Sequence, residues 1–406
     1  MARTSVSFSD LVTLTRASAK TLFGPAGKLI ETAADARAIN YVPTTGAVLG
    51  MRLESAGTNV APTPSSPHSI YTLASGGAIV ANQGVAPDDG ATTTMARFTV
   101  DSASSTHYIA RTNWNVANSG QTLTYSVFVK NRGIPALRLQ LYDHTSTTNT
   151  IYATFDMTTG TKTDQVAGGA GTIISAGIEA YATGGYRLWI TGCPNPGQSN
   201  NIQIRIFAMS GGSTIFLGDG VSGFDFWGVN ICNSPLIQSF ISSAGTRAVD
   251  IARVATLSPY FNASKGTFVF HARMPSTAPT GVKLQLFRLD DGTDDNVIEA
   301  YVPSATGNVE ARIRAAGSTV FNQVAGTYTA GSVVKMNLSY AANAFAAALY
   351  GGVAVTGSSG AVPVGINAGY IGCSDVAGAN SLNGDFQNFR YFPDNVSSGD
   401  LPLLTV

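Results

Sequence analysis

Alternation of apolar and polar residues, with period two, dominates the chain. Thr122–Lys130 (TLTYSVFVK) puts Leu123, Tyr125, Val127 and Val129 on one face of an extended segment, because successive strand side chains point to opposite sides. Leu137–Tyr142 (LRLQLY) repeats the pattern with Leu137, Leu139 and Leu141. Ile151–Met157, Tyr186–Thr191, Ile202–Ala208 and Phe224–Ile231 follow, separated by Gly, Asn, Ser and Thr turns. Short strands at this spacing predict an antiparallel β-sandwich. A second set begins after residue 250: Gly266–Arg273, Val282–Leu289, Val297–Val302, Val309–Ala315, Val333–Tyr340, Ala344–Leu349 and Phe386–Phe392. These predict a second sandwich.

Residues 1–60 read differently. Ser5–Arg16 offers Val6, Phe8, Leu11, Val12 and Leu14, Asn40–Val42 meets a turn at Pro43–Gly46, and Val48–Glu54 alternates. This predicts an arm of short strands and turns that wraps or anchors something. A proline-rich stretch, residues 61–67 (APTPSSP), then stiffens the chain. The expected organisation is an arm over 1–60 and sandwiches over 61–245 and 246–406.

Composition narrows the class. Of the 406 residues, only 12% are charged while 44% are hydrophobic, against about 25% charged in an average soluble protein. That excludes a coiled coil, whose exposed faces need Glu, Lys and Arg, and a disordered tail, which needs low hydrophobicity. Lys plus Arg and Asp plus Glu number 24 each, so no basic excess points to nucleic acid. Neutrality suits a polar, uncharged partner such as a glycan. Cys193, Cys232 and Cys373 form no CxxC or Cys/His cluster; they read as three buried thiols, with one disulfide plus a free thiol as the alternative. Met1–Lys20 lacks the apolar run of a secretory signal, and the most apolar stretch, Ala344–Val355, is shorter than the ~20 residues of a membrane helix. The chain is expected to stay in the cytoplasm that makes it, unless it leaves inside a larger particle.

One segment is more specific. Arg37–Asn59 reads RAINYVPTTGAVLGMRLESAGTN and resembles a segment recurrent in bacteriophage and prophage structural proteins. The matching positions are Arg37, Tyr41, Pro43, Thr45, Gly46, Gly50, Leu53, Glu54, Thr58 and Asn59; Asn40 stands where Asp is usual, and Gly57 where Arg is usual. YSVFVK, FDMTTG (Phe155–Gly160), GGYRLWIT (Gly184–Thr191) and FDFWGVNI (Phe224–Ile231) are similar to segments of the carbohydrate-binding-module-like jelly roll that follows in those proteins. FISSAGTRAVDIA (Phe240–Ala252), GTFVFHAR and Asn383–Leu401 are similar to a linker and a concanavalin A-like, laminin-G-type sandwich. The resemblance implies a virion surface component: a head spike, head fibre or tail fibre, of the kind gene transfer agents also carry.

Catalytic motifs are lacking: there is no GxSxG, HExxH, P-loop or GxGxxG. Glutamate is scarce, with Glu31, Glu54, Glu179, Glu299 and Glu310 alone. Glu299 and Glu310 could face each other across a hairpin, which keeps glycoside hydrolysis open; solvated strand carboxylates are the plainer reading. Asp143–His144 reads as a side-chain-capped turn and His271 as a packed strand residue. Sugar binding needs aromatic faces rimmed by hydrogen-bonding side chains. Trp114, flanked by Arg111, Asn113 and Asn115, is one such group, with a core tryptophan as the equal alternative; Tyr142 is a second. Trp189 and Trp227 sit in apolar strands and read as core. Asp290, Asp291, Asp294 and Asp295 are dense enough for calcium but lack the EF-hand spacing, and a solvated loop is the plainer reading.

The expectation is an all-β protein: an N-terminal extended anchoring arm, then two antiparallel β-sandwiches. Its expected function is non-catalytic, without a cofactor unless the aspartates hold calcium. Val6, Phe8, Leu11, Leu14 and Phe23 would dock on a capsid or other virion protein, and the sandwiches would bind host-surface polysaccharide. Neither nucleic acid nor membrane is an expected partner, and assembly with further copies of the chain stays open. A capsule depolymerase and a purely structural decoration protein are the alternatives.

Overall fold

The computed structural model describes residues 11–89, 94–198 and 201–405. Strands and turns make up nearly all of it. Among the described residues no helix is long and apolar enough to cross a membrane.

The first sandwich faces a six-stranded sheet against an eight-stranded one. The six-stranded sheet runs in the order Thr161–Gly168, Thr150–Asp156, Ala136–Asp143, Asn201–Met209, Tyr108–Asn118, Leu73–Ser75. The eight-stranded sheet runs Thr172–Tyr181, Gly185–Cys193, Leu123–Arg132, Gly223–Cys232, Gly57–Asn59, Gly245–Arg247, with Thr94–Val100 and Gly77–Val85 branching from Gly223–Cys232. The alternating residues meet between the sheets as expected: Leu123, Tyr125, Val127 and Val129 pack with Leu137, Leu139, Leu141, Ile202, Ile204 and Ile206, all buried.

The second sandwich pairs two seven-stranded sheets. One runs Thr13–Thr15, Ile251–Val254, Ala368–Ile371, Leu284–Asp290, Val297–Val302, Asn308–Ala315, Ser318–Thr327. The other runs Val355–Gly357, Ala344–Leu349, Val333–Ala341, Lys265–Arg273, Gly384–Phe392, Val48–Leu53, Ile39–Tyr41. The residues read as an arm therefore supply strands to the chain's own sheets. Leu11 and Leu14 pack on the second core, and Phe23 is buried at 6% exposure with Phe128, Trp227 and Phe240. These three anchoring candidates are spent inside the molecule, because their apolar side chains find partners there. Val6 and Phe8 lie outside the described residues.

That small aromatic core also explains why YSVFVK and FDFWGVNI are apolar on both faces. Phe128 and Trp227 point away from the main core, with ring centroids 5.7 Å apart, and the hairpin Lys20–Phe23/Leu29–Thr32 covers them with Phe240. All of Gly223–Cys232 is buried.

A buried charge network fastens the parts. Glu54 accepts from Arg52 Nε at 2.8 Å, from Ser239 N at 2.8 Å and from Ser239 Oγ at 2.7 Å, with Lys20 Nζ at 3.2 Å and Arg247 Nη2 at 3.5 Å. Asp250 meets Arg16 at 3.1 Å, also binds Lys20, and accepts from Glu54 N at 2.9 Å. Burial alone would raise the Glu54 carboxyl; Lys20, Arg52 and Arg247 outweigh it and hold it well below the usual range. Asn59 works by hydrogen bonding, donating to Val229 O and Ile241 O and accepting from Ala61 N and Ile231 N. Glu54 and Asn59, two residues of the most specific motif, are thus junction residues. Asn40 donates to Asp385 at 2.9 Å, and an Asp at that position would set two carboxylates together.

Candidate site on the outer face of the six-stranded sheet

Strand alternation sends Arg138, Gln140 and Tyr142 outward while Leu137, Leu139 and Leu141 point into the core. Register then assembles a patch. Arg138 lies beside Phe207 and Thr154, Gln140 beside Arg205 and Tyr152, Tyr142 beside Gln203, and Tyr108 beside Phe207. The Arg205 guanidinium sits 4.2 Å from the Tyr142 ring centre, 5.1 Å from Tyr108 and 5.8 Å from Phe207. Its Nε donates to Gln203 Oε1 at 2.5 Å, and its Nη2 donates to the Tyr142 hydroxyl. Arg138 lies 4.1 Å over Tyr152 and donates to Thr154 Oγ1 at 3.2 Å. Among the described residues neither arginine has a carboxylate partner. Burial raises the Tyr142 phenol, with Arg205 opposing. Gln140 donates to Thr150 Oγ1 at 3.1 Å, and its Oε1 is buried without a partner.

Such a face offers planar, donor-rich guanidinium groups held flat by rings. A cation over an aromatic ring gains about 0.5–1 kcal/mol at an exposed site and keeps its charge. The forked donors suit carboxylates and vicinal hydroxyls.

The expected sugar-binding residues are only partly brought together. Tyr142 belongs to the patch, but it is 4% exposed under Arg205, so its ring is no open stacking surface. Arg111 turns elsewhere: its Nη1 donates to Ile70 O at 3.2 Å, at the sandwich edge. Trp114, Asn113 and Asn115 fall in the strand Tyr108–Asn118, with register shifts on both sides of Trp114; their side chains lie outside the described residues. Trp227 is core, as expected, whereas Trp189 is half-buried. Arg138 and Arg205 were missed. Their signal was available: each is the lone cation in an alternating strand, on the polar side.

Asp290, Asp291 and Asp294 spend their carboxylates on protein donors. Asp290 binds Arg288 at 2.6 Å. Asp294 meets Arg288 at 3.0 Å, Arg312 at 3.2 Å and Arg314. Asp291 accepts from Thr293 and Asn296, while Asp295 uses its carbonyl to accept from Gly317 N. Among the described residues no three His, Cys, Asp or Glu side chains group to hold a metal ion. Glu299 is fully buried between Arg312 at 2.6 Å and Lys283 at 3.1 Å. Its cross-strand neighbour is Arg312, and Glu310 instead faces Tyr301, whose hydroxyl it accepts at 2.9 Å. Asp143 caps its own turn through Thr145 N at 2.8 Å. Cys193, Cys232 and Cys373 are buried and unpaired.

No protein-family model matches the chain, and no curated protein matches it. Solved structures give distant likenesses. The CBM40 of the Ruminococcus gnavus IT-sialidase, bound to alpha2,3 sialyllactose, is 16% identical over 36% of this chain and 84% of that one, at a TM-score of 0.31. Domains LG4-5 of the mouse laminin alpha1 chain are 10% identical over 87% of this chain and 91% of that one, at 0.28. The Trypanosoma rangeli sialidase in complex with sialic acid is 11% identical over 82% of this chain and 62% of that one, at 0.29. Likenesses this distant assign no ligand to this chain.

Proposed function

We propose that this chain is a non-catalytic virion-surface spike or fibre protein that binds host-surface polysaccharide through the outer face of the six-stranded sheet. The observation that carries the binding reading is that Arg138 and Arg205 lie over tyrosine rings with no carboxylate partner among the described residues. The order of motifs along the sequence supports the particle setting. The protein is made in a bacterial cytoplasm and leaves on the particle, where the region holding Val6 and Phe8 meets a capsid or other virion protein. Weak single sites suffice there, because many linked copies raise the effective concentration. The caging of Glu299 by basic side chains supports binding without hydrolysis.

The test uses the full chain, tagged, on capsulated and capsule-free cells. Capsule-dependent adhesion, lost in the R138A/R205A double variant and without sugar release, is expected. Sugar release would make the protein a depolymerase. No adhesion, even by multimerised protein, would leave a structural decoration protein.

A further inference from the structure

A cleft of about 110 Å³ lies where the hairpin Lys20–Phe23/Leu29–Thr32, the connection after Cys232 and both sandwiches meet. Its lining includes Trp189, Glu179, Arg187, Arg273, Asn40 and Gln238. Register explains the first three: Gly177 pairs with Trp189 and Glu179 with Arg187, so all four side-chain positions share one face of the sheet. That face is opposite the core-facing Leu188 and Ile190.

The cleft holds one buried donor without a partner among the described residues and one half-buried carboxylate without a protein donor. Glu179 takes no hydrogen bond from any described residue, although burial raises its carboxyl against the pull of Arg187, Arg273 and Arg52. Arg187 donates through Nη2 to Ser126 Oγ at 3.1 Å and to Gln238 O at 2.8 Å, yet its buried Nε has no partner among the described residues. The buried Arg187 donor is costly unless water or a ligand meets it, and the half-buried Glu179 carboxylate is free to accept from a ligand. Beside them Trp189 stays half-buried in a strand that otherwise reads as core. Its indole leans over Gly177, where a Cβ would come within 2.1 Å of it. Only glycine at 177 allows that position.

Charge selects the ligand class. Of the arginines that line the cleft, Arg273 binds Asp385 at 3.2 Å, Arg52 binds Glu54 at 2.8 Å, and Arg187 lies across the ladder from Glu179. Each cation of the lining therefore has a carboxylate near it, and an anion would have to compete with that carboxylate. A neutral molecule with hydroxyl groups fits there, since each hydroxyl both donates and accepts, and its C–H face can lie on the indole. The volume is well below the ~300 Å³ of a drug-sized site, so one ring edge enters and a chain does not.

We propose that this cleft is a second binding site, taking one terminal ring of a neutral sugar between Trp189 and Glu179. It is independent of the arginine–tyrosine face, which is open and cationic.

The probes are neutral methyl glycosides of glucose, galactose and mannose, titrated into the full-length chain. The readout is the Trp189 indole N–H resonance, assigned by W189F. At least one glycoside should shift it saturably, and E179Q and E179A should weaken that glycoside by about tenfold or more, the loss expected when hydrogen bonds to a charged group are removed. R205A should leave it unchanged. E179Q keeps the shape of the side chain, so it remains informative if E179A fails to fold. No shift with any glycoside, or equal affinity in wild type and a folded E179Q, overturns the proposal. Loss of cell adhesion in R138A/R205A with the glycoside shift intact would separate this site from the outer-face reading.

Discussion

On the six-stranded sheet, Arg138 and Arg205 lie over tyrosine rings. On the outer face of the seven-stranded sheet that includes Val297–Val302 and Asn308–Ala315, Arg288 and Arg312 stand at equivalent outward positions, against Glu299 and Asp294. An aromatic ring is present there too, since Lys283 lies 4.0 Å over Tyr301. The difference is the carboxylates. A guanidinium on a ring is oriented but not neutralised, whereas one on a buried carboxylate is already occupied. Strand position and residue type are shared; the neighbour across the ladder decides whether the cation serves a ligand or the fold.

The largest effect should come from breaking the occupied face. Glu299→Ala leaves Lys283, Arg288 and Arg312 around a lost charge, and removing one partner of a buried pair costs about 3–5 kcal/mol. Urea unfolding should show the drop, while Arg205→Ala should stay within about 1 kcal/mol of wild type. If the two variants lose equal stability, the contrast between the faces is wrong.

Next comes conversion of one face into the other. Gln140→Glu sets a carboxylate beside Arg205 without changing the side chain's size. Adhesion to capsulated cells should fall by more than about tenfold, with the urea midpoint little changed; Arg312→Ala should leave adhesion intact. Retained adhesion in Gln140→Glu would mean that unneutralised charge is not what the site uses.

Acid should separate the faces as well. Burial would raise the Asp294 carboxyl, but its bond to Arg288 and the charges of Arg312 and Arg314 hold it below the usual value. A carboxyl depressed by folding stabilises above its unfolded pKa, about 3.9 for Asp, and that support is lost as pH falls through the folded value. Amide protection in Val297–Val302 and Asn308–Ala315 should therefore weaken below about pH 3.9. Protection in Ala136–Asp143 and Asn201–Met209 should change less, and equal loss in both would count against the assignment. The smallest effect is Arg205→Lys, which keeps the charge but loses the planar fork; adhesion should fall a few-fold.

Much of this fold is legible in sequence because period-two alternation reports a core directly: Ala344–Leu349 and Val297–Val302 have the expected limits. Thr161–Gly168 and Thr172–Tyr181 were missed because their largely exposed or half-buried residues carry little apolar alternation. The arm was misplaced for a different reason. Its short strands show apolar residues, but sequence does not say which surface receives them. The candidate site was legible only at Tyr142. Arg205 reaches it through pairing of Ala136–Asp143 with Asn201–Met209, strands far apart in the chain. Trp189 looked like core because Leu188 and Ile190 flank it, and only the cleft behind Gly177 sets it apart.

The pairing of Val48–Leu53 with Gly384–Phe392 bears on how the protein is made. Leu49 O accepts from Gln387 Nε2, a residue 338 positions later. A ribosome adding about 5–20 residues per second needs on the order of 20–70 s to span that gap. The first sandwich can emerge and close in the meantime, its Gly57–Asn59 edge included, because the partners of that edge lie at Cys232 and Gly245–Arg247. Ile39–Tyr41 and Val48–Leu53 stay without their sheet until Gly384–Phe392 is synthesised, whereas Thr13–Thr15 finds its partner at Ile251–Val254 and Lys20–Phe23 pairs locally with Leu29–Thr32; a product stopped before Gly384 would hold a finished first sandwich and an unclosed second one.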